Sequence, residues 1–82
     1  MSILNLTGRD RALLRAVAAG RCEIAPTSVP NLRVDGRWFC DQPRAHALLS
    51  AGLIARALGA ATAVLTSAGR AALDDAYERT AA

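Results

Sequence analysis

Residues 48–73, LLSAGLIARALGAATAVLTSAGRAAL, constrain the fold of this chain more than any other stretch. Leu48 and Leu49 close an apolar helix, and Gly52 stops it, because glycine takes the left-handed backbone of a helix end without steric penalty. Leu53-Ile54 opens a short strand, Gly59-Ala60 supplies a turn, and a second strand returns to Leu65. Thr66 or Ser67 then caps a further helix. The spacing predicts strands at about 53–57 and 62–65, followed by a helix over 67–80 whose apolar face carries Ala72, Leu73, Ala76 and Tyr77.

The preceding half supplies one more helix, a hairpin and the start of the helix that Leu48 and Leu49 close. Thr7-Gly8-Arg9-Asp10 reads as a helix start, with Thr7 as N-cap and Asp10 reaching back to it. Ala12, Leu13, Ala16 and Val17, with Leu14 beside them, form an apolar stripe on a helix over 8–19, which Gly20 ends. Residues 21–31 contain Pro26 and Pro30 and no period, and they read as loop. Asp35-Gly36 supplies the two-residue turn of a hairpin over 32–39. In that register Leu32 faces Phe39, and Arg33 faces Trp38 as a cation–π pair. Asp41 caps a helix over 41–51, with Pro43 tolerated in its first turn and Ala45, Leu48 and Leu49 pointing inward.

The pattern L-x-x-x-G-L-I … V-L-T-x-x-G-R-x-x-L within residues 48–73 resembles the wing region of bacterial winged-helix proteins of the MarR/PadR-like group. The resemblance implies a single small α+β domain over 1–82, winged-helix-like, ordered helix, hairpin, helix, wing hairpin, helix. It places the DNA-reading helix at 41–51 and the wing at 53–65. Arg44, His46 and Ser50 on that helix and Arg56 on the wing are then the expected contacts to bases and phosphates. Apart from the resemblance, Arg33 and Arg37 of the first hairpin, with Arg9, Arg11 and Arg15 of the first helix, are expected to form one basic surface, which makes Arg33 and Arg37 further DNA-binding candidates. The function implied is a bacterial, phage or mobile-element transcriptional regulator, helix-turn-helix in type, that binds double-stranded DNA as a homodimer. Two features favour an alternative, a protein-binding adaptor or inhibitor on the same scaffold. A proline-bearing loop and a hairpin stand where a positioning helix is needed, and the wing tip, Leu58-Gly59-Ala60-Ala61-Thr62, carries no charge. For that alternative Trp38 and Arg33 are the expected partner-binding residues, since both types are enriched in interface hot spots.

Charge and composition bound the rest. Every basic residue is an arginine, and residues 1–70 hold nine of them against four acids, net +5, while residues 71–82 are net −2. The larger part is thus suited to an anionic partner. A chain of 82 residues buries a marginal core. Leu13, Val17, Leu73 and Tyr77 are accordingly the expected dimer interface. One histidine, and two cysteines without a paired C-x-x-C, make neither a catalytic constellation nor a structural zinc site, so no enzyme, metal, cofactor or small-molecule substrate is expected. The start MSILNLTGRDR has no cationic, apolar leader, and Ala57–Ala68 is too short to cross a bilayer. The expected compartment is the cytoplasm, with Cys22 and Cys40 as free thiols.

Overall fold

A computed structural model describes residues 6–25 and 31–81, with the backbone alone for 75–81. Among the described residues it is a small α+β fold of three helices and two small antiparallel sheets. The order is α1 (Gly8–Ala18), β1 (Cys22–Ile24), β2 (Leu32–Val34), β3 (Arg37–Trp38), α2 (Gln42–Ser50), β4 (Ile54–Arg56), β5 (Ala63–Leu65) and α3 (Ser67–Ala81).

The helices begin and end where local chemistry satisfies their orphan backbone groups. Thr7 and Asp10 form a reciprocal capping box at α1: Asp10 N–H donates to Thr7 Oγ1 at 3.1 Å, and Thr7 N–H donates to Asp10 Oδ2 at 2.9 Å. Asp41 caps α2 by accepting from Arg44 N–H at 3.1 Å, and Thr66 caps α3 by accepting from Gly69 N–H at 2.9 Å. The end of α2 is a Schellman closure. Gly52, at φ 79°, donates to Leu49 O, and Leu53 N–H donates to Leu48 O. That closure turns the chain directly into β4.

One side of every element except β3 feeds a single core. Leu13, Leu14, Ala16 and Val17 of α1, Ala45 and Leu48 of α2, Leu73 of α3, and Cys22, Ile24, Leu32, Ile54 and Ala63 of the strands form one buried cluster. Ala12 faces solvent, whereas Leu14 is wholly buried, so the α1 stripe is rotated slightly from its expected centre. Burying each large aliphatic side chain contributes about 1.5–3 kcal/mol. Of the α3 face, Ala76 and Tyr77 lie outside the described side chains.

The sheets differ from expectation in one respect. Cys22–Ile24, read from sequence as loop, is a strand. It pairs with β2 in the register Cys22↔Val34, Glu23↔Arg33 and Ile24↔Leu32, and β2 pairs with β3 through Arg33↔Trp38 and Val34↔Arg37. Asp35 (φ 53°) and Gly36 (φ 78°) make the tight turn between β2 and β3. On its other side β1 meets the β4–β5 hairpin: Glu23 bridges Thr62, and Ile24 N–H donates to Ala61 O at 2.8 Å. A three-residue strand has too little sequence to show a period. It is held by partners on both sides.

Candidate interaction surface

Antiparallel partners directly opposite one another point to the same side of a sheet. The register therefore places Trp38, Arg33, Glu23 and Thr62 in one row across β3, β2, β1 and the residue just before β5, on the side away from the core. Alternation adds Val64 to that side, with Ala55 as its cross-strand neighbour. Exposure agrees. Trp38 is 60% and Val64 37% exposed, whereas Cys22, Leu32 and Ala63 on the opposite side are 0% exposed.

Arg33 organises the row. Its guanidinium carbon lies 5.3 Å from the centre of the Trp38 ring, and its Nη2 lies 3.4 Å from Glu23 Oε1. Its Nε is buried without a hydrogen-bond acceptor. The hairpin beneath is fixed at both ends. At the turn, Arg21 Nε and Nη2 grip the Asp35 carboxylate, the shortest contact being 2.6 Å. Those bonds hold Asp35 below the usual carboxylate range. At the open end, Gln42 Oε1 accepts from Leu32 N–H, and its Nε2 donates to Leu32 O and Phe39 O, each at 2.9 Å. The Gln42 amide thus takes the place of a ladder hydrogen bond and joins the hairpin to the first turn of α2.

Of the residues expected to read DNA, Arg44, His46 and Arg56 make contacts within the chain. Arg44 Nε lies 2.9 Å from both oxygens of Asp10, and its Nη2 lies 2.7 Å from Oδ2. Asp10 is 1% exposed. Burial pushes its carboxyl upward, but the bonds from Arg44 and Thr7 outweigh burial and hold it below the usual value. The Arg44 guanidinium is raised in turn by its bond to Asp10. The pair ties the N-terminus of α1 to that of α2, beside a depression lined by Thr7, Arg9, Asp10, Asp41 and Arg44 in which two carboxylates oppose two guanidiniums. His46 Nε2 is 2.9 Å from Asn31 Oδ1. Arg56 Nη2 donates to Ala25 O at 2.9 Å. Ser50 and Arg37 are exposed.

Three of the four residues expected at a dimer face lie in the core. Leu13 and Val17 are 2% and Leu73 8% exposed, buried by the chain's own core, so they offer no surface to a second molecule. Tyr77 lies outside the described side chains. Sequence reasoning also missed Glu23, Thr62 and Val64 as members of the row with Trp38. The alternation of Cys22, Glu23 and Ile24 was the available signal, though three residues are too few to establish it.

Both cysteines are free, Cys22 buried and Cys40 exposed. Burial pushes the Cys22 thiol up to about 11. Among the described residues, no cluster of three His, Cys, Asp or Glu is placed to hold a metal ion, and no helix is long and apolar enough to cross a membrane. No protein-family model, curated protein or solved structure matches the chain.

Proposed function

We propose that this chain is a small protein-binding adaptor or inhibitor on a winged-helix-like scaffold, with the open sheet side around Trp38 as its contact surface. The observation carrying this reading is the exposed tryptophan stacked on Arg33 in a hairpin fixed at both ends. Rigid aromatic anchors bind at low entropic cost, and tryptophan and arginine are the side chains most often found at interface hot spots. The engagement of Arg44 with Asp10 and of Arg56 with Ala25 O supports the same reading, because both guanidiniums already have acceptors. A winged-helix-like scaffold is supported by the β4–β5 hairpin following α2 and by the bridge from β1 to Thr62. The test is capture of a protein partner by the intact chain, compared with Trp38→Ala and Arg33→Ala. Loss of the partner in both variants, with circular dichroism unchanged, is the expected result. A partner retained by both variants removes this surface from the reading.

A second reading, a DNA-binding regulator, is favoured by a different observation. Arg9, Arg15, Arg37 and Arg70 are exposed and make no ion pair or hydrogen bond among the described residues, on a chain of net charge +3. Its test is duplex-DNA affinity against salt. A regulator loses affinity steeply as salt rises, and Arg9→Ala or Arg37→Ala lowers the slope. Arg44→Ala is unsuited to this test because Arg44 holds Asp10. No binding at about 50 mM salt removes the regulator reading.

A further inference from the structure

Resting on the reading of the open sheet side as a contact surface, we propose that its partner is a second copy of this chain, the two sheets stacked face to face about a twofold axis running along the strands. The order of the row carries the argument. Read across the sheet it is aromatic, cation, anion, hydroxyl: Trp38, Arg33, Glu23, Thr62.

A twofold axis along the strands, passing between Arg33 and Glu23, reverses this row in the second copy. Arg33 then lies over the partner's Glu23, and Glu23 over the partner's Arg33. Trp38 lies over the partner's Thr62, with Val64 and Ala55 beside it, so the exposed ring meets small and β-branched side chains. An axis across the strands instead sets Arg33 on Arg33 and Glu23 on Glu23, which like-charge repulsion disfavours. Charge thus selects one orientation, and the contact closes on itself as an isologous dimer requires.

Three further observations favour this occupant. Within one chain the Arg33–Glu23 contact is a single one of 3.4 Å, which leaves both groups capacity for a second partner. Trp38 and Val64, two of the exposed large apolar residues, lie on this same side. Leu13, Val17 and Leu73 are consumed by the core and supply no competing apolar surface. The row spans three strands and the bridged Thr62 at a spacing of about 4.8 Å, so the contact is small and the dimer belongs to the weak, concentration-dependent class.

Trp38 is the sole tryptophan, and its emission therefore reports this contact directly. The experiment is sedimentation of the full chain from about 1 µM to about 1 mM, a range matched to weak association, with emission recorded at each concentration. The expected result is a doubling of mass in step with a blue shift of Trp38 emission. Glu23→Arg and Arg33→Glu, each alone, should abolish both changes. The double variant E23R/R33E, which restores the complementary order, should recover both. A monomer throughout the range with unshifted emission overturns the proposal, as does a dimer that survives both single reversals. If the monomeric chain still captures a different protein through Trp38, this inference falls and the adaptor reading stands. If it is monomeric and captures nothing through Trp38, both fall.

Discussion

Replacing Gly69 by alanine sets two effects of known sign against each other. Gly69 is the third residue of α3, and alanine in place of glycine favours a helix interior by about 1 kcal/mol. Propensity alone predicts a more stable protein. The surroundings predict the reverse, because a Cβ at this position overlaps the Leu53 carbonyl oxygen and comes within 2.9 Å of its carbon and 3.2 Å of Leu65 Cδ2. Leu53 is anchored by its own hydrogen bonds: its N–H donates to Leu48 O at 3.1 Å, and its carbonyl accepts from Thr66 N–H at 3.1 Å. Relief requires moving α3 away from the α2–β4 junction. Overpacking of this kind costs about 1–3 kcal/mol, and weakening the Thr66 bond adds about 0.5–1.5 kcal/mol. The net expectation is destabilisation by about 1–3 kcal/mol after the propensity gain. For a domain of this size that lowers Tm by roughly 5–20 °C. Thermal and urea unfolding followed by circular dichroism measure it. Gly8→Ala is the control, since its nearest neighbour there is Arg11 Nη2 at 3.8 Å. A Gly69→Ala protein that melts at or above the wild type would refute the reasoning.

Three other expectations follow from the contacts. Asp10→Asn should lower stability at neutral pH by about 1.5–3 kcal/mol, the worth of hydrogen bonds to a charged group. Because the folded Asp10 pKa is depressed, its contribution is present above about pH 4 and lost as pH falls through the folded value, so Tm plotted against pH should be flatter in the variant over that acid range. Gln42→Ala removes three hydrogen bonds and leaves the buried Leu32 N–H without its acceptor, which should cost about 1–3 kcal/mol and show as faster hydrogen exchange at the Leu32 amide. A thiol reagent at about pH 8 should modify Cys40 rapidly and Cys22 only on unfolding, since Cys22 is buried and its thiol is pushed up to about 11. Equal rates at both thiols would contradict the placement of Cys22.

The elements legible in the sequence are those whose signals are local. Thr7 and Asp10 are three residues apart, Asp35-Gly36 specifies its own turn, and Gly52 marks the end of α2 where the Schellman bonds form. The Arg33–Trp38 stack follows from that turn, because hairpin register is fixed by turn length. What escaped reading depends on distant partners. Arg44 is separated from Asp10 by 34 positions, and nothing in the spacing of α2 shows that its guanidinium faces inward across α1. Arg56 finds its acceptor 31 positions away at Ala25. β1 exists because β2 and Thr62 flank it. Leu13 and Val17 carry the same apolar signal whether a core or a second molecule covers them, and only the arrangement of three helices over one sheet side decides.

The position of β1 has a kinetic consequence. The β2–β3 and β4–β5 hairpins are each local, and such hairpins close in about 1–10 µs. Their connection runs through Cys22–Ile24, where Glu23 must meet both Arg33 and Thr62. The contact between Glu23 and Thr62 closes a much longer loop than either hairpin does, so its closure costs more entropy than either. Substitutions that weaken β1 should therefore slow folding, whereas equal destabilisation at the β4–β5 turn should mainly speed unfolding.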